Sequence, residues 1–257
     1  MVTHATDSTT RLGYWSAVLC ALFSLTYIVG QLFEWAGMLG SAGGPESVST
    51  PLGIAVLLTP SLLLGSAFLV LMVSVHQRTA PARRVWSHTG VAFATAYAVL
   101  TGMVYFLQLT VVGPRLASGR IAGMEAFVFV PFDSFLYAVD ILGYTFMSAA
   151  TLFGAFALTG NGVERVARRF MIANGLLIPF LAFQMYWHSL IWVAALWAIT
   201  FPGAMVSLAR MFERAGRAVA PEHRIDNRPR SWSRQPGFAV HERHEMADRH
   251  PPPFSVL

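Results

Sequence analysis

Five apolar runs break the polar background of the chain. They are Gly13 to Phe33, Leu52 to Val75, Thr89 to Val112, Phe135 to Thr159 and a double-length block from Phe170 to Ala209. A helix rises 1.5 Å per residue, so about twenty apolar residues cross the roughly 30 Å hydrocarbon layer of a bilayer. Each of the first four runs meets that length once. The fifth is twice as long and carries Gln184-Met185-Tyr186-Trp187-His188-Ser189 near its middle, a polar and aromatic cluster of the kind that sits at a membrane interface. It is therefore read as two helices joined by a tight turn. Pro179 offers the competing reading of one kinked helix, but such a helix would overshoot the bilayer about twofold. The expected fold is all-α, a polytopic bundle of six transmembrane helices. The first run is too long, and lacks the small-residue cleavage site, to be a signal peptide.

Small residues recur at helical spacing within the runs: Ala94, Ala98 and Gly102 on the third, Ala150 and Gly154 on the fourth. Where lipid supplies no hydrophobic drive, such spacing lets backbones approach closely, so these positions are expected at helix contacts.

The positions of the arginines add a direction. Arg78, Arg83 and Arg84 follow the second run, Arg165, Arg168 and Arg169 follow the fourth, and Arg210, Arg214 and Arg217 follow the sixth. The alternate loops hold only Arg115 and Arg120 against Glu34, Glu46, Glu125 and Asp133. Positive residues are retained on the cytoplasmic side, so both termini are expected inside. The organisation that results is a cytoplasmic N-terminal segment (1–12), a transmembrane domain (13–210) and a disordered, arginine-rich cytoplasmic tail (211–257). Arg210, Arg214 and Arg217 share a helical face, which suggests that the last helix runs past the lipid and that these side chains reach back to phosphates. His223, His241, His244 and His250 in the tail match no compact zinc spacing.

Composition agrees with the pattern. The 257 residues are 55% hydrophobic and only 12% charged, with a mean hydropathy of +0.53, against about 25% charged in soluble domains. Its absences exclude more. All 18 basic residues are arginine, so neither a retinal nor a pyridoxal-phosphate Schiff base can form, and no Walker-A loop can be built. One cysteine, Cys20, allows no intrachain disulfide and reads as a small buried hydrophobe.

The candidate chemistry is what remains inside the apolar runs. Asp140 is the one ionisable residue clearly within a run, and a carboxyl there is costly unless it faces protein or water. Asp133, seven residues earlier, is placed to cap the start of the fourth helix. The alternating topology sends Gln31 and Glu34 to the outer end of helix one, Gln108 to that of helix three and Gln184 to that of helix five. His188 opens helix six on the same side. Asp140, Gln108, Tyr144, Gln184, Glu34 and His188 are accordingly the candidate ligand-binding residues of an outward-facing polar cup. The apolar segment Ala126 to Phe132 is expected to lie over it as an interfacial element or lid. Helix ends and interhelical hydrogen-bond clusters would use the same residue types for packing alone.

A resemblance enters at these residues. Tyr105-Phe-Leu-Gln-Leu-Thr-Val-Val112, Pro114, and Asp140-Ile-Leu-Gly-Tyr144 with Met147 resemble an uncharacterised family of bacterial multi-pass membrane proteins, over the third and fourth helices and their loop. Acidic residues commonly fill both places before the Leu-Gly-Tyr of that family. Asp140 matches the first, but Ile141 stands at the second, so paired-carboxylate chemistry does not carry over. The resemblance implies a bacterial inner-membrane location and no established activity.

Three functions compete on this reading. The preferred one is binding or transport of a small polar or cationic ligand from the outer side. The others are a structural or regulatory membrane subunit, and a membrane-embedded metal-dependent hydrolase using His188, Asp140 and Glu34. Zinc catalysis ordinarily takes three protein ligands and a base, and only one histidine is expected on that side. A bis-histidine haem centre is a similarly poor fit, because His76 and His88 flank the inner loop while His188 is expected outside, and no stacked histidine pair is expected in the helices. No catalytic residue, metal site or cofactor is assigned. The expected partners are the bilayer, a small-molecule ligand and a protein bound through the tail, with no nucleic acid.

Overall fold

The computed structural model describes residues 2–130 and 132–219. The tail beyond 219, with its four histidines, lies outside them. Six described helices are long and apolar enough to cross a membrane: Ser8–Trp35, Pro51–Arg78, Pro81–Ala117, Phe135–Ala157, Val163–Phe183 and His188–Arg217, referred to below as helices one to six. Among the described residues the regular structure is entirely helical. Each helix packs on the next, and helix six returns to helix one, so the bundle is a closed ring in chain order.

The double-length block is two helices, each long and apolar enough to cross a membrane, the first ending at Phe183 and the second opening at His188. Pro179 does not kink a single long helix. It sits in the first turn of Ile178–Phe183, just after Val163–Gly175 has ended, because a proline is tolerated at a helix start and disfavours helix before it. Helix three runs further than its apolar core. A 3-10 turn, Pro81–Arg83, leads into it, and a π-helical turn, Gln108–Val112, lies near its far end. The last helix continues to Val219, so residues 211–219 of the expected tail are helical.

Helix four is capped one residue later than the sequence suggested. The Ser134 hydroxyl accepts from the Tyr137 amide at 3.2 Å. The first helical residue is Phe135, so the capping position is 134, and Asp133 is exposed outside it.

The arginine loops share one end of the bundle. Arg78 donates to the Thr10 hydroxyl and lies over the Phe212 ring at 5.5 Å, which ties the end of helix two to helices one and six. Arg83 donates to the Phe156 carbonyl at 2.8 Å and Arg168 to that of Leu158 at 3.4 Å. Helices also pack closely towards this end. A Cβ on Gly154 would lie 2.8 Å from the Met72 methyl and 2.9 Å from that of Met171. Ala94 and Ala150 are fully buried, as their spacing predicted. Gly102 is not part of this packing: it is half-buried, with no heavy atom within 4 Å of a Cβ placed there.

At mid-bundle, fully buried Asn174 of helix five donates to Thr151 (3.0 Å) and Ser148 (3.5 Å) of helix four and accepts from Thr200 of helix six (3.0 Å). This knot joins three helices and leaves the carboxamide satisfied.

Candidate functional site

The opposite end of the bundle holds a cavity of about 410 Å³. All six sequence-predicted residues, Asp140, Gln108, Tyr144, Gln184, Glu34 and His188, line it. They come from helices one, three, four, five and six, so the convergence is a product of the fold and of no single segment.

Two carboxyl groups stand out. Asp140 is 7% exposed and Glu34 is 2% exposed. Asp140 Oδ1 and both carboxyl oxygens of Glu34 are buried with no hydrogen-bond partner among the described residues. Their settings differ. Helix two begins at Pro51 with the Thr50 hydroxyl accepting from the Gly53 amide at 3.1 Å. A Cβ on Gly53 would lie 2.6 Å from Glu34 Oε2. The missing Cβ thus lets the Glu34 carboxyl rest on the first turn of helix two, where the helix dipole favours negative charge. Asp140 lies within helix four, about 8 Å along it from its start.

The remaining predicted residues hold the cavity's shape. Gln108 Nε2 donates to the Phe127 carbonyl at 2.6 Å, which ties the 126–132 segment down across the end of helix three. Val128, Phe129, Val130 and Phe132 of that segment line the cavity, as expected of a lid, although the segment is a series of turns and not a helix. Phe132 has φ 68°, a backbone conformation that bulky residues rarely adopt, and its ring stacks on His188 with centroids 4.5 Å apart. His188 is thereby a rim residue. Gln184 Oε1 accepts from the Tyr137 hydroxyl at 3.3 Å. The Tyr144 hydroxyl accepts from that of Tyr105 at 3.1 Å, and its ring meets Trp197 edge-on at 5.5 Å.

Comparison of the chain with protein-family models, with curated proteins and with solved structures found no match. The likeness carried by Tyr105 to Met147 stays a likeness, and no family membership follows from it.

Sequence reasoning missed the aromatic walls. Tyr27 packs edge-on against Trp197 at 6.1 Å, and its hydroxyl donates to Gln31 Oε1 at 3.3 Å. With Tyr144 and Tyr137 these rings surround the Asp140 side of the cavity. Tyr27 was findable, since it lies one turn before Gln31 and two before Glu34. Trp197 was not, because the turn at 195–196 interrupts helix six between His188 and Trp197 and destroys their helical register. The first loop was missed as well: Glu46 and Ser47 line the cavity, and the Ser47 hydroxyl and Trp197 Nε1 are also buried without partners. Four positive-φ glycines, Gly37, Gly40, Gly43 and Gly44, fold this loop back on helix one, where the Gly44 amide donates to the Trp35 carbonyl at 2.8 Å.

The described lining thus holds three carboxyl groups, Glu34, Glu46 and Asp140, one imidazole and no arginine. Among the described residues no group of three or more His, Cys, Asp or Glu side chains is placed to hold a metal ion, so the hydrolase reading gains no support. One histidine expectation needs correction. His76 and His88 do not merely flank their loop: their rings lie 5.6 Å apart across helices two and three, with His76 Nδ1 2.8 Å from the Ser87 hydroxyl. That pair belongs to the arginine-rich end and is remote from the cavity.

Proposed function

We propose that this chain is a multi-pass protein of a bacterial plasma membrane, with both termini and its arginine loops in the cytoplasm, that binds a small organic cation in the cavity from the outer side, for recognition or for transport. One observation carries the reading: both carboxyl oxygens of Glu34 and one of Asp140 are buried without a hydrogen-bond partner among the described residues, in a cavity lined by the rings of Tyr27, Tyr144 and Trp197. Buried polar groups in folded proteins are almost always satisfied, and those that are not call for a reason. Aromatic faces attract a desolvated cation, and a carboxylate beside them adds the counter-charge. An anion would meet three carboxyl groups and no guanidinium.

The test is calorimetry with tetramethylammonium and a panel of organic cations on the purified protein. Asp140→Asn keeps shape and removes charge, and is expected to weaken binding at least about thirtyfold, the equivalent of roughly 2 kcal/mol for a desolvated cation–aromatic–carboxylate site. Unchanged affinity in this variant, or a wild type that binds anions in preference, sinks the proposal.

A further inference from the structure

The cavity is walled unevenly. The first loop (Gly44 to Ser49) and the lid (Val128 to Phe132) close on it at the end of the bundle, and Asp140 and Tyr144 lie deeper. Between helices one and six the lining is apolar and turned outward: Leu32 is 56% exposed and Trp192 is 60% exposed, and Ala195 is exposed beside them. On a bundle that spans a membrane, exposed apolar side chains along a helix flank face acyl chains. Helices one and six pack tightly at the arginine-rich end, where Gly13 sits against the Phe212 ring with no room for a Cβ. Towards the cavity they are bridged by the Trp35 and Trp192 rings, 6.1 Å apart. Tryptophans so placed mark the headgroup level of a bilayer.

Resting on the cation reading above, we infer that the cavity opens sideways into the lipid between helices one and six, and that its ligand is an amphiphile: an ammonium head held by Asp140 and the Tyr27, Tyr144 and Trp197 rings, with an alkyl chain leaving past Leu32 and Ala195. A cavity of about 410 Å³ with one acid-and-aromatic pole and one apolar slot matches a ligand that is itself divided in that way. A freely soluble cation needs the first pole and gains nothing from the second.

The experiment uses the full chain in lipid nanodiscs. Tetramethylammonium, butyltrimethylammonium and octyltrimethylammonium are titrated below micelle-forming concentrations, and empty nanodiscs supply the correction for partition into lipid. Affinity is expected to rise with chain length, by up to about fourfold for each methylene taken into the slot. Ala195→Trp, which fills the slot, is expected to lower octyltrimethylammonium affinity by about tenfold. Equal affinity across the series, with Asp140→Asn abolishing all of it, overturns the sideways opening and leaves the cation site standing. A chain-length gain that Ala195→Trp does not diminish overturns the slot between helices one and six. Binding of none of the three probes overturns the cation reading and this inference with it.

Discussion

The two ends of the bundle obey different rules. From the Asn174 knot to the arginine loops, polar side chains find partners: Asn174 engages three hydroxyls, and Arg78, Arg83 and Arg168 each donate to a neighbouring element. Small residues bring the helices together there, with the Met72 methyl against Gly90 and Gly154. At the other end Glu34, Ser47, Asp140 and Trp197 carry buried polar atoms without partners around a cavity of about 410 Å³. Away from the cavity lining, the Tyr97 hydroxyl is the one other buried side-chain polar atom without a partner among the described residues, so the open groups concentrate at the cavity and are not a general failure of packing. Stability is best served by the first arrangement, and the second is the cost that the proposed binding site carries.

The sharpest way to break the comparison is to overfill the tight end. Gly154→Leu puts a branched side chain where a Cβ alone would lie 2.8 Å and 2.9 Å from two buried methionine methyls. Loss of about 3 kcal/mol in unfolding free energy is expected, measured by denaturant or thermal unfolding in mild detergent. A tolerated leucine would mean that helices two, four and five stand further apart than described.

A paired substitution tests the same contrast by sign. Asp140→Leu removes a buried carboxyl with an unpartnered oxygen, so the ligand-free protein is expected to gain about 1–3 kcal/mol. Asn174→Leu removes a satisfied carboxamide and is expected to cost about 1–2 kcal/mol, since interhelical hydrogen bonds in membranes contribute under 1 kcal/mol each. The cost stays modest because Thr151 and Thr200 also donate within their own helices, to the carbonyls of Ser148 and Leu196. Opposite shifts in thermal midpoint sharpen the comparison; two losses would place Asp140 among the packing residues.

Much of the fold was legible because it follows from the length of apolar runs and the placement of arginine. The six long apolar helices, the break between Phe183 and His188 and the shared end of the arginine loops are properties of one-dimensional pattern. The residues of the cavity were legible for a related reason: polar side chains in an apolar helix are few, and alternating direction sorts them by end. Aromatic residues give no such signal. Tyr137 and Trp197 read as ordinary apolar positions, and only the ring-like order of the helices brings them to the cavity of Asp140. The caps and loops failed for lack of register: Ser134 displaced Asp133 by one residue, and the first loop, bent by its glycines, carried Glu46 and Ser47 to the cavity unannounced.

The smallest expected effect bears on how the two carboxyl groups divide their work. Glu34 owes its position to the absent side chain of Gly53, whose Cβ would fall 2.6 Å from Oε2. Helix two cannot easily give way, because Thr50 fixes its first turn, whereas the carboxyl is the free end of a side chain and can turn into the cavity. Gly53→Ala is therefore expected to leave stability nearly unchanged, since alanine's helix preference of up to about 1 kcal/mol offsets the displacement. Cation affinity should fall by roughly fivefold, about 1 kcal/mol of coupling between neighbouring residues. The double-mutant cycle decides the cause. In a Glu34→Gly background the added methyl has nothing to displace, and Gly53→Ala should then change binding by less than about twofold. If the fivefold loss persists there, the alanine acts through helix two itself, and Glu34 is a cap on that helix with no part in holding a ligand.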